Sequence, residues 1–179
     1  MAGELNLVSS VTVSSDVSYV DLTGTDATYD IYRVVIHNAR VNNTSGGGWR
    51  MRWLVSSSPE TGNNHFTQWA SHTGAGDFQW YGLATDYRYS GNDLMYIGDG
   101  SSDTGESFNG VIDLYKTHDS DSEGRFLVET LGTSTGGDLY VFKGGGYRKA
   151  KQAYNGVRIF VDSYDIASGT FSLYGYNYS

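Results

Sequence analysis

Cysteine is absent from this chain of 179 residues, and proline occurs once, at Pro59. Without cysteine the chain has no disulfide framework and no thiolate metal site, which excludes the small secreted domains that depend on such links. A chain of this length is sufficient for one domain with a sizeable core. The fold must therefore be held together by buried apolar side chains and by assembly.

Positive charge is also scarce, because 12 lysines and arginines face 20 acidic residues and leave a net charge of −8. Such a balance opposes nonspecific binding to nucleic acid or to anionic membranes. The first ten residues, MAGELNLVSS, lack the basic and apolar regions of a secretory signal, and no segment approaches the roughly 18 apolar residues of a membrane span. We therefore expect a protein made in a cytoplasm, with no nucleic-acid and no membrane partner.

What the chain does contain is 24 glycines and 15 tyrosines, together with many serines and threonines. Aromatic and β-branched residues suit the half-buried surface of a strand, whereas glycine favours turns. The pattern predicts one all-β domain over residues 1–179, an antiparallel, jelly-roll-like sandwich of about nine to eleven strands. The clearest predicted strands are residues 5–13, 17–22, 29–41, 49–55, 93–97, 108–115, 125–131, 138–143, 156–162 and 169–176, of which the first two read as an opening strand pair.

The predicted strand at 49–55 has two different faces. Trp49, Met51 and Trp53 alternate with Arg50 and Arg52. Because successive side chains of a strand point to opposite faces, this alternation predicts one buried face and one that meets water or a partner.

Residues 56–92 form a predicted long loop region that is rich in glycine and aromatic residues, with one short strand near 78–83. Aromatic side chains anchor protein interfaces and also stack on sugar rings. We expect the cluster to form an interface, to pack within its own loop, or to bind a glycan. Its members are Phe66, Trp69, Phe78, Trp80, Tyr81, Tyr87 and Tyr89.

A basic strip, Arg148, Lys149 and Lys151, follows the three glycines at 144–146. The sequence lacks the GK[ST] motif of a phosphate-binding loop. On an acidic protein, such a strip suits an acidic patch of a neighbouring subunit. An exposed turn is the equal alternative.

No segment carries a recognisable catalytic motif. The serines have no G-x-S-x-G elbow around them, the spacing of His65 and His72 corresponds to no zinc motif, and the acidic segment 99–106 does not fit a calcium loop. We expect no enzymatic activity, no catalytic residues, no metal and no cofactor.

Four segments carry a resemblance to a known family: LVSSVTVSSDVSYVDLTG at the start, TYDIYRVVIHN, FNGVIDLY, and GVRIFVDSYDIASGTFSLYGY at the end. Together they resemble a family of small bacteriophage virion proteins found in marine and cyanobacterial phages. The resemblance implies a capsid decoration, or cement, protein that forms a dimer or trimer and binds the major capsid protein or another virion protein. The alternative that it leaves open is an adsorption protein of the tail or a fibre, which binds a glycan of the host surface.

Overall fold

β-branched and aromatic residues alternate with small polar ones along most of this chain, and the structure is built from strands accordingly. A computed structural model describes residues 4–43, 47–61, 65–72, 78–79, 95–100, 106–133 and 139–177. Within these residues no helix is present, and so none that is long and apolar enough to cross a membrane. The strands are β1 (Asn6–Val13), β2 (Tyr19–Thr23), β3 (Ile31–Val41), β4 (Gly47–Val55), β5 (Ser58–Pro59), β6 (His65–His72), β7 (Phe78–Gln79), β8 (Met95–Gly100), β9 (Phe108–Tyr115), β10 (Glu123–Thr133), β11 (Leu139–Lys151), β12 (Gly156–Val161) and β13 (Ile166–Tyr176).

The strands form two sheets in which every pairing is antiparallel. The larger sheet has eight strands in the order β1-β13-β3-β9-β10-β11-β6-β7. The smaller sheet has five strands, in which β2, β12, β4 and β5 follow one another and β8 also pairs with β4. The predicted all-β antiparallel sandwich is therefore confirmed.

The chain crosses between the sheets at most of its early and late connections. The predicted opening strand pair is wrong, because β1 and β2 do not pair with each other. Strand β1 pairs with β13 and β2 pairs with β12, both near the other end of the chain. The sets β1-β13-β3-β9 and β2-β12-β4-β8 thus correspond to the two four-stranded sheets of a jelly roll. Strands β10, β11, β6 and β7 extend the larger sheet beyond that core.

The core lies between the sheets and contains the largest apolar side chains. Trp49, Met51 and Trp53 of β4 have no exposed surface, as their alternation predicts. The ring of Trp49 stacks on Phe108 of the opposite sheet at 4.6 Å and 4° between planes, and its indole N–H donates to the carbonyl oxygen of Gly100 at 3.1 Å. This side chain therefore joins both sheets and the β8 backbone.

Two predictions for the middle of the chain are wrong. The region 56–92, predicted to be a long loop with one short strand near 78–83, has β7 at that place but also contains the unpredicted β5 and the eight-residue strand β6. The strand predicted to end at 143 continues to Lys151, so the three glycines pair with β10 and β6 instead of forming a turn. Glycine inside a strand weakens it, but β11 is hydrogen-bonded on both sides, to β10 and to β6. These two pairings hold the glycines in the sheet.

Candidate functional site on the outer face of the larger sheet

The surface of the larger sheet that faces away from the core carries an apolar patch, which we call the outer face. It lies on β3, β9, β10 and β11, where cross-strand partners include Val35 with Val111 and Leu131 with Val141. Two leucines of β10 project from it, Leu127 with 56% and Leu131 with 41% of their surface exposed. The apolar members of the patch are Val35, Val111, Leu127, Leu131, Leu139 and Val141.

The exposed leucines of β10 alternate with fully or nearly buried residues of the same strand. Phe126 and Val128 point into the core, while Arg125, Leu127, Glu129 and Leu131 point outward. Isolated surface leucines are ordinary, but a contiguous apolar set with a polar rim marks an interaction surface. The apolar residues of the outer face occupy adjacent strands and alternate with pairs of opposite charge, since Glu129 and Lys143 lie between the rows of Leu127 and Leu131.

Charged residues on the outer face occur as pairs of opposite sign on neighbouring strands. Arg33 donates two hydrogen bonds to Asp113, at 2.7 and 2.8 Å, and these bonds raise the pKa of Arg33 above its usual value. Lys143 lies 2.8 Å from Glu129. Within each pair the positive and negative charges cancel. The patch around Leu127 and Leu131 is therefore close to neutral, although the whole chain carries a net charge of −8.

The outer face is also large enough for a protein partner. Its four adjacent strands, spaced by about 4.8 Å and each about eight residues long at ~3.3 Å per residue, give a surface of roughly 500 Å². Two such faces bury about 1,000 Å² in total, which is the lower limit for a biological interface. The face therefore has the dimensions, the apolar content and the local neutrality of an interface.

The smaller sheet presents a different outward surface, made of arginines and aromatic rings. Arg158 donates two hydrogen bonds of 2.7 Å to Asp21 and lies over the ring of Tyr19, 3.5 Å from its centroid. Arg50 pairs with Asp162 at 2.5 Å and lies 4.4 Å from the centroid of Tyr96. Arg50 Nη1 is buried without a hydrogen-bond partner among the described residues, but both arginines have an acidic partner and an aromatic ring within the chain. This surface is therefore a weaker candidate for a binding site.

Comparison with known proteins found no match. No family model, no curated protein and no solved structure matches the sequence.

The predicted aromatic cluster is only partly within the described residues. Phe66 and Trp69 belong to β6, where they pair with Tyr147 and Gly144 of β11, and Phe78 belongs to β7. Their strands thus continue the larger sheet beyond the outer face. The other four members, Trp80, Tyr81, Tyr87 and Tyr89, lie outside the described residues.

Arg148 differs from the rest of the predicted basic strip. It is 4% exposed, forms an ion pair with Glu60 of the same chain and lies 5.9 Å from the ring centroid of Tyr154. The expectation that it faces an acidic patch of another subunit is corrected by this burial, whose cause is the inward direction of its position on β11. Lys149 and Lys151 are exposed and stay candidates.

Leu127 and Leu131 were not among the candidate residues predicted from the sequence, although a signal for them exists. The run Phe126, Leu127 and Val128 is apolar at successive positions, so one of its members must point away from the core in a strand. In a sheet with one covered face, such a run indicates an apolar position on the outside. Among the described residues no group of three or more histidines, cysteines or acids could hold a metal ion.

Proposed function

We propose that this chain is a structural protein of a bacteriophage particle, a capsid decoration protein that stabilises the head by contacts with copies of itself and with the major capsid protein. The observation that carries the proposal is the outer face, a neutral apolar surface on a strongly acidic protein. The jelly-roll connectivity is in keeping with it, because this architecture is frequent in capsid proteins. The family resemblance of the sequence points the same way.

Self-association is favoured by the way in which charge is arranged on the outer face. In a twofold dimer the same patch is present on both sides of the interface, so unpaired charges of one sign would face their own copies. The pairs Arg33 with Asp113 and Lys143 with Glu129 avoid that repulsion, because each is neutral before the interface forms. The leucines between them supply the apolar surface that association buries.

The mechanism that we propose is thermodynamic. A protein that binds the assembled lattice but not its free subunits shifts the equilibrium towards the assembled state by mass action. No catalytic group is needed for this effect.

The first test is the copy number of the protein, measured by quantitative mass spectrometry of purified particles relative to the major capsid protein. A ratio near one supports a decoration protein, and deletion should then lower the temperature at which heads release DNA. A few copies per particle would overturn the decoration role and favour the tail or fibre alternative.

A second test addresses the outer face directly. The double variant Leu127→Glu/Leu131→Glu should remain folded, because both side chains are exposed, but should sediment as a monomer and fail to join particles. Leu5→Glu is the matched control, since Leu5 is 48% exposed and lies outside the sheet. If wild type and double variant sediment alike and join particles equally, the outer face is not the interface.

The alternative is a tail or fibre-associated protein that binds host surface glycan. The observation that favours it is a polar cleft near one end of the larger sheet, where an arginine has no acidic partner within the described chain.

A further inference from the structure

The cleft opens where β1, β13 and β3 meet the residues that precede β9, and its volume is about 450 Å³. This volume lies within the range of roughly 300–1,000 Å³ that is usual for small-molecule sites. Most of the lining side chains are polar. They include Thr12, His37, Arg40, Glu106, Ser168 and Thr170.

The cleft lies where the pairing of two adjacent strands, β3 and β13, is irregular. The pairing of β3 shifts between Ile36 and Ala39, and Asn38 adopts a φ of 51°, held by a hydrogen bond of 2.8 Å from its N–H to the side chain of Asn109. Because the extra residue changes which side chains face outward, His37 and Arg40 both leave the core side while Ala39 stays buried. Bulges of this kind commonly re-aim side chains beside functional sites.

Arg40 is the group in the cleft with unused binding capacity. Its Nε donates to Ser168 Oγ at 3.2 Å, which fixes the guanidinium, while its two amino groups have no hydrogen-bond partner among the described residues. It also lacks the acidic partner that most other arginines in the described ranges have within the chain. The arginines with such a partner are Arg33, Arg50, Arg125, Arg148 and Arg158.

A fixed guanidinium with two free amino groups matches the geometry of a carboxylate. The hydroxyl groups in the rest of the lining suit a polyhydroxylated ring attached to that carboxylate. Ser168 Oγ accepts from Arg40 and can still donate, the hydroxyls of Thr12 and Thr170 lie 3.4 Å apart, and a carboxylate such as Glu106 accepts at about four lone-pair sites. The lining therefore combines one carboxylate position with several hydroxyl positions.

We propose that this cleft binds a sugar that carries a carboxylate, with the carboxylate on Arg40 and the ring hydroxyls on Glu106 and the serine and threonine hydroxyls. The proposal deepens the glycan-binding alternative and does not depend on the outer face. A negative titration would therefore overturn the cleft proposal and leave the decoration role untouched, and a low copy number would do the reverse.

The experiment is a titration of the full chain, followed by the amide NMR signals of Arg40, Ser168 and Thr170. The probes are glucuronate and N-acetylneuraminate. Glucose, which lacks the carboxylate, and acetate, which lacks the sugar ring, are the control compounds. We expect one of the two acids to shift these signals with millimolar affinity and to bind about tenfold or more tightly than glucose and acetate. The acid that binds identifies the kind of sugar.

Two variants locate the site. Arg40→Gln should abolish the shifts, and His37→Glu, which changes an exposed side chain, should weaken binding of the acid by placing a second carboxylate in the cleft. Arg125→Gln, an exposed arginine on the same sheet, is the control and should bind like wild type. The proposal is overturned if neither acid binds, if glucose or acetate binds equally well, or if the folded Arg40→Gln and His37→Glu variants bind like wild type.

Discussion

The side chain of Leu127 lies against Gly145 on the neighbouring strand, so that a Cβ added at Gly145 would be 2.8 Å from Leu127 Cδ2. The same Cβ would be 2.8 Å from the carbonyl oxygen of Phe126, a backbone atom of the paired strand β10. The glycine thus leaves room for an exposed leucine on the outer face. We infer that position 145 requires glycine because a larger residue would not fit, and not because the backbone there needs an unusual conformation.

Gly145→Ala should therefore destabilise the fold, although alanine is usually tolerated better than glycine in a strand. We expect a loss of about 1–3 kcal/mol in the free energy of unfolding, as for other overpacked sites, measured by urea denaturation. Leu127→Ala should relieve part of the loss in a double-mutant cycle, since one of the two close contacts disappears. Equal stability of Gly145→Ala and wild type would show that the backbone adjusts without cost.

The sequence predicted the jelly-roll core better than the extension of the larger sheet. Strand β9 was predicted with the same bounds as in the structure, because FNGVIDLY is framed by polar turn residues. Strand β6 was missed, since HFTQWASH has neither strict alternation nor a β-branched run and acquires its strand form by pairing with β11. The three glycines of β11 favour a turn when only the local sequence is considered, and they form a strand because they pair with β10 and β6.

The candidate sites depended on tertiary structure even more strongly. Nothing in the local sequence separates Arg40, which lacks an acidic partner within the described chain, from Arg33, whose partner Asp113 is 80 residues away. Likewise, the burial of Arg148 depends on Glu60, which precedes it by about half of the chain. Local pattern predicts which residues form strands, but the pairing of charges requires the register of the sheets.

The buried pair of Arg148 and Glu60 yields a prediction about stability. Two nitrogens of Arg148, Nε and Nη1, are buried without a hydrogen-bond partner, so Glu60 supplies the main compensation for its charge. Glu60→Gln should lower the free energy of unfolding by about 3 kcal/mol, the lower end of the cost of breaking a buried pair, because Glu60 is a quarter exposed.

The control for this prediction removes both charges. Arg148→Met/Glu60→Gln should be more stable than Glu60→Gln alone, because no buried charge is left without a partner. Chemical denaturation of wild type, Glu60→Gln, the single variant Arg148→Met and the double variant measures the coupling. A loss below about 1 kcal/mol in Glu60→Gln would mean that water solvates Arg148 in place of Glu60.

Tyr32 should make the fold sensitive to alkali. Burial raises the pKa of its hydroxyl to about 12, above the usual 10.0, while the hydroxyl donates to the carboxylate of Asp26 at 2.8 Å. Because the folded state holds this proton more tightly, stability should be unaffected below about pH 10 and should fall as the pH rises from about 10 to 12. Tyr32→Phe should be less stable at neutral pH but should show a shallower decline between pH 10 and 12, measured by thermal unfolding across pH. An identical alkaline decline in both proteins would assign it to other tyrosines.

Trp49 joins three parts of the sandwich, and its replacement should separate packing from hydrogen bonding. Trp49→Phe keeps an aromatic ring against Phe108 but leaves the carbonyl of Gly100 without its indole donor, so we expect a loss of about 1–3 kcal/mol. Trp49→Ala should lose about 3–5 kcal/mol, because it also opens a cavity between the sheets. Urea denaturation measures both losses, and a cooperative transition in Trp49→Phe is the check that the fold is retained. If the two variants lose the same amount, the contribution of Trp49 lies in the hydrogen bond to β8 and not in the stack, since the added cavity then costs nothing.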